Sequence, residues 1–172
     1  MKRLLLLRHA KSSWQDRSLA DHDRPLNKRG EKSARRIGDY LHDEGLIPDH
    51  VLCSTATRAA RTWDIVSGQL GSVVSTTELP DIYSADADGL LQLVRAAPPH
   101  ANTVLLIGHN PALEELALSL YASGDRPGAE KMREKYPTAG LASFRFDTTD
   151  WAEIAPGRGE LERFVRPKQL ER

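Results

Sequence analysis

The chain has 172 residues, with 24 Lys and Arg against 24 Asp and Glu, six His and a single Cys. That length suits one domain (1–172) around one core, and 40% apolar with 28% charged residues excludes a disordered chain. Zero net charge removes the electrostatic ground for a nucleic-acid or membrane-surface protein, but residues 1–36 hold eleven basic and four acidic side chains, so an anionic ligand is expected there.

Met1 to Leu7 ends in four consecutive leucines, a continuous rather than alternating run, and predicts a strand buried on both faces of a parallel sheet. The run is too short for a signal-peptide core or a membrane span. Ala34, Ile37 and Leu41 share one face of a helix that Asn27 caps and that Gly45 with Pro48 ends. Val51-Leu52-Cys53, Val73-Val74 and Thr103 to Ile107 read as further strands, and residues 58–69, 87–96 and 111–121 as helices, with Pro111 in a first turn. Cys53 has no partner for a disulfide, which fits a reducing compartment, and the cytoplasm is the expected location. Ser123 to Gly128 reads as a loop and 129–135 as a short charged helix. Residues 143–146 and 161–165 alternate, as half-buried or edge strands do. The sum is a single α/β domain, a mostly parallel central sheet flanked by helices in three layers, with a late pair of strands.

Ligands in such sheets bind beyond the carboxyl ends of the strands. Those ends carry Arg8-His9-Ala10-Lys11, Ser54 to Arg58, Leu79-Pro80-Asp81-Ile82-Tyr83 and Gly108-His109-Asn110-Pro111. Each segment alone says little, but together their chemistry is complete. A neutral imidazole attacks phosphorus, guanidinium groups bind phosphoryl oxygens bidentately, and a second imidazole adds a donor to the developing charge. No metal or other cofactor is needed. Two rival chemistries fit poorly. Cys53 and Arg58 are separated by four residues, where a cysteine phosphatase loop has five, and Cys53 reads as a core residue. His22-Asp23 stands without other ligands at metal-binding spacing.

These motifs resemble the histidine phosphatase superfamily (phosphoglycerate mutase-like), most closely its phosphohistidine phosphatase branch. The resemblance runs from Leu4 to about Asp147. Leu5 to Ala10 is similar to the strand that carries the nucleophilic His. Arg24-Pro25-Leu26 with Gly30 matches the turn into the first helix, and Ser54 to Thr62 matches the element that supplies a second phosphate-binding Arg. Leu106 to Pro111 resembles the segment of the second catalytic His, and Thr138 to Ala142 that branch's closing loop and strand.

The resemblance implies a phosphatase in which His9 becomes phosphorylated while Arg8, Arg58 and His109 hold the phosphoryl oxygens. Asp81 is the candidate to protonate the leaving group, and Lys11 and Ser12 are candidate substrate contacts. The implied partner is a protein carrying phosphohistidine, with a small phosphorylated molecule or a phosphate-reading module without turnover as alternatives; neither nucleic acid nor membrane is expected. Trp14 is expected at the pocket rim or in packing, Arg61 on the surface, Arg24 paired with Asp21 or Asp23, and Asp86 and Asp88 at a solvated helix start. The sequence departs from the superfamily at three places: Ala10 stands where Gly is usual, Asp81 where Glu is frequent, and Asn110 follows His109 in place of Asp.

Overall fold

A computed structural model describes residues 1–171. Seven strands, β1 (Lys2–Arg8), β2 (His50–Ser54), β3 (Ser75–Leu79), β4 (Thr103–Gly108), β5 (Tyr121–Gly124), β6 (Leu141–Phe146) and β7 (Gly159–Val165), form one sheet in the order β3-β2-β4-β1-β6-β7-β5. Only β6 runs against its neighbours; the other pairings are parallel. Six helices cover it: α1 (Lys28–Asp43), α2 (Thr57–Gly68), α3 (Pro80–Ser84), α4 (Ala87–Arg95), α5 (Ala112–Leu120) and α6 (Arg126–Glu134). No helix among the described residues is long and apolar enough to cross a membrane.

The leucine run of β1 is continuous because both sides of the strand are covered. Leu5 and Leu7 pack with Ala34, Ile37 and Leu41 of α1 and Val66 of α2. Leu4 and Leu6 face the opposite layer, with Leu90 and Val94 of α4 and Leu113 and Leu116 of α5. Asn27 caps α1 through its side-chain oxygen, which accepts from the Gly30 N–H at 2.8 Å, and beyond the helix Gly45 turns the chain at φ 68°.

Four expectations need correction. Val73-Val74 is not a strand: the strand begins at Ser75, and Val73 is fully exposed. β3 lies at the sheet edge and its residues are mostly exposed, so Ser-Thr-Thr-Glu-Leu carries no apolar run to mark it. The segment around 143–146 is not a half-buried edge; β6 lies between β1 and β7, and five of its six residues are buried. The 123–128 loop is split between β5 and α6, because Asp125 accepts from the Gly128 N–H and starts a helix that tolerates Pro127 in its first turn. Pro111 precedes α5 instead of opening it.

Candidate active site

Register brings the two histidines together. In the parallel pair β1–β4, Arg8 lies opposite Gly108, so His9 and His109 leave adjacent strands at the same level. Their ring centroids are 5.1 Å apart. The His9 backbone N–H also donates to the Gly108 carbonyl at 3.1 Å, which ties the two strand ends. β2 ends alongside at Ser54, and the turn into α2 brings Arg58 to the same end of the sheet.

The His9 ring has a defined tautomer. Nδ1 lies 2.8 Å from the Ala10 carbonyl oxygen, which can only accept, so Nδ1 carries the proton and Nε2 the lone pair. Burial pushes the His9 pKa down to about 3, with His109, Arg58 and Arg8 acting in the same direction against the Ala10 hydrogen bond. His109 is similarly lowered to about 4, first by burial and then by Arg58. Both rings are therefore neutral near pH 7. His109 Nε2 lies 2.7 Å from Ser54 Oγ, and its Nδ1 has no hydrogen-bond partner.

Each arginine is tethered. Arg8 donates through Nη1 to the Tyr136 carbonyl at 3.0 Å, while its buried Nε has no partner. Burial pulls its pKa below the ordinary guanidinium range, with Arg58 acting the same way and Glu114 against it. Asn110 donates to the same Tyr136 carbonyl at 3.1 Å, so the Asn that departs from the superfamily pattern shares an anchor with Arg8. Arg58 is 8% exposed. It reaches Asp21 twice, Nη1 to the backbone carbonyl at 2.8 Å and Nη2 to Oδ2 at 3.0 Å. Ala10, in place of the usual Gly, is fully buried in the α1–α2 apolar layer, and its N–H donates to Thr62 Oγ1 at 2.9 Å.

The remaining residues named from sequence are placed less uniformly. Asp81 lies on α3 and is exposed, whereas its neighbour Ile82 is buried. Lys11 is exposed directly after the His9 turn. Ser12 is buried and takes a hydrogen bond from Arg24 Nη2. Arg24 pairs with Asp21 at 3.1 Å, and the exposed Trp14 ring lies 3.3 Å from its guanidinium carbon. Arg61 is exposed. Asp86 caps α4 by accepting from the Gly89 N–H at 2.8 Å. Cys53 is buried among apolar neighbours, and burial pushes its thiol up to about 12, which leaves it protonated and unsuited to attack.

Two residues to which sequence reasoning gave no role at the site lie beside the reactive centre. Asp21 accepts from Tyr83 Oη at 2.6 Å as well as from Arg58 and Arg24. The Tyr83 hydrogen bond, with smaller contributions from the two arginines, lowers its carboxyl pKa despite some desolvation. Tyr83 stands edge-on to both His22 and His109, at 4.9 and 5.4 Å. Asp21 belongs to a short turn packed on α2, and neither position has a local pattern that marks it; only the folded contact reveals them.

The site as a whole joins a neutral imidazole lone pair, two guanidinium groups and a second imidazole at the strand ends. Comparison with known proteins identifies the family and the fold. The model of the histidine phosphatase superfamily (branch 1) matches residues 4–100. An uncharacterized protein of Mycobacterium tuberculosis is 36% identical over 164 residues, covering 94% of this chain and 100% of its own. A protein of Agrobacterium tumefaciens assigned as the phosphohistidine phosphatase SixA superposes with TM-score 0.79 at 28% identity, covering 96% of this chain and 98% of the other. Its counterpart from Nakamurella multipartitia gives TM-score 0.81 at 27% identity, covering 96% of both chains.

Proposed function

Because the chain belongs to the histidine phosphatase superfamily, we propose that it is a metal-independent phosphatase of the cytoplasm that works through a phosphohistidine on His9 and acts on protein phosphohistidine. The observation that carries this reading is the orientation of the His9 ring. Nδ1–H is held by the Ala10 carbonyl, and the pKa is depressed, so Nε2 is an unprotonated nucleophile at neutral pH. The SixA-assigned neighbours support the choice of substrate class.

The reaction runs in two displacements. The Nε2 lone pair of His9 forms a bond to phosphorus as the bond to the leaving group breaks, and that electron pair departs with the leaving group. Arg8 and Arg58 hold the equatorial oxygens, and His109 adds a donor once the phosphoryl charge offsets the burial that keeps it neutral. Water then attacks phosphorus, the bond to Nε2 breaks, and its electrons return to the ring. The water's proton passes to solvent, and phosphate leaves. Lys11 meets the substrate beside this centre, and Ser12 contributes by holding Arg24.

Leaving-group chemistry favours phosphohistidine. Imidazole has a conjugate-acid pKa of about 6.5, so a phosphohistidine protonated on its second ring nitrogen departs as neutral imidazole without an enzyme acid. An alkoxide needs a proton, and Asp81 is the residue assigned to supply it. The test compares a phosphohistidine protein with an alkyl phosphate in wild type, His9→Ala and Asp81→Asn. His9→Ala abolishes turnover of both. Asp81→Asn lowers alkyl phosphate turnover at least tenfold and phosphohistidine turnover by less than threefold. Equal large losses on both substrates contradict the leaving-group argument, and tight binding without turnover in wild type favours a phosphate-reading module.

A further inference from the structure

Beside His109 opens a cavity of about 270 Å³. Its walls include Tyr83, Asp86, His109, Asn110 and Glu115. Among the described residues no Lys or Arg lines it, and the ionisable groups on its rim other than His109 and Tyr83 are two carboxylates. His109, only 9% exposed, is shared between this cavity and the reactive centre. Tyr83 closes the side toward Asp21, to which its hydroxyl donates. Arg8 and Arg58 do not line the cavity; they are tethered behind its wall, to the Tyr136 carbonyl that Asn110 also reaches and to the Asp21 that Tyr83 also reaches.

We propose that this cavity is the leaving-group subsite and that the Asp86 and Glu115 carboxylates select a leaving group bearing positive charge or an N–H donor. The inference rests on the phosphatase reading and specifies its substrate side. A phosphoryl group is drawn to the guanidinium groups whatever it is attached to, so discrimination belongs to the other half of the substrate. A protonated phosphohistidine ring places its N–H against the acidic wall, and its cationic form is the one that leaves without a proton donor. A leaving group that carries a carboxylate meets like charge where no Lys or Arg of the lining offsets it, and like-charge juxtaposition is a specificity device.

The test uses three esters whose leaving groups differ in charge: phosphocholine (cationic), glycerol 3-phosphate (neutral) and 3-phosphoglycerate (anionic). All are P–O esters, so the intrinsic lability of a P–N bond does not enter. Wild type prefers them in that order by kcat/KM. Asp86→Asn with Glu115→Gln narrows the phosphocholine to 3-phosphoglycerate ratio by about tenfold, chiefly through faster turnover of the anionic ester. Asn retains the α4 cap; if the double variant nevertheless folds poorly, Glu115→Gln alone, on an exposed position of α5, narrows the ratio by about threefold. Added salt narrows the wild-type ratio as well, because the carboxylates are exposed. A ratio within twofold of wild type in the folded variants overturns the subsite and leaves the phosphatase reading intact. Wild type that neither turns over nor becomes phosphorylated by any donor removes both.

Discussion

At the residue scale the site depends on two imidazoles kept neutral by burial, and that has a consequence for stability. The His9 and His109 pKa values of about 3 and 4 lie below the unfolded value of about 6.5. Between those limits the unfolded chain binds more protons than the folded one, so stability falls as pH decreases from about 6.5 toward 4. The slope is about 1.4 kcal/mol per pH unit for each ring. Denaturant unfolding from pH 7 to 4.5 shows a shallower decline in His109→Gln than in wild type; identical slopes contradict the burial argument. Asp21 offers a second residue-scale expectation. Because its carboxylate holds Arg58 Nη2 while its backbone carbonyl holds Nη1, Asp21→Asn removes the ionic one of the two anchors and raises KM severalfold through misplacement of the guanidinium, with kcat less affected. Asp21 is half exposed, so the melting temperature changes little. An unchanged KM would show that Arg58 is held without the Asp21 carboxylate.

At the scale of elements, the part that positions the reactive centre was legible because it is written in local patterns. The Leu4–Leu7 run, the period of α1 and its Asn27 cap all follow from burial or from local hydrogen bonding, and all were read from sequence. β3 and β5 were not, because edge strands expose most side chains and need no apolar run. Gly30 joins element and site. A Cβ there would run into the Lys11 carbonyl, so α1 approaches the loop after His9 at backbone contact. Asn27 N–H donates to that carbonyl at 3.0 Å, fixing the same segment. Gly30→Ala therefore pushes the Lys11 backbone away, with an expected loss of about 1–3 kcal/mol of stability from overpacking and reduced turnover. Wild-type melting and activity in Gly30→Ala would mean that the loop yields freely.

Across the whole molecule, net charge conceals where charge is needed. The zero total combines a basic stretch over residues 1–36 with an acidic remainder. The folded chain uses few of those basic groups at the site. Arg8 and His9 come from the basic stretch, Arg58 and His109 from the acidic remainder, and the β1–β4 register joins them. His9 and His109 could be named as candidates because each follows its strand directly, and Arg8 and Arg58 because one ends β1 and the other lies in the first turn of the helix after β2. Asp21 and Tyr83 could not, since their relation to Arg58 and His109 exists only after α2 and α3 pack at one end of the sheet. The central claim is a covalent phosphoryl transfer to His9. Its most direct test is rapid quenching of the enzyme with a phosphohistidine protein, followed by mass mapping of the alkali-stable adduct. The account predicts one phosphoryl group on Nε2 of His9 in wild type and none in His9→Ala. A phosphoryl group on another residue, or turnover of the donor by His9→Ala, would contradict it.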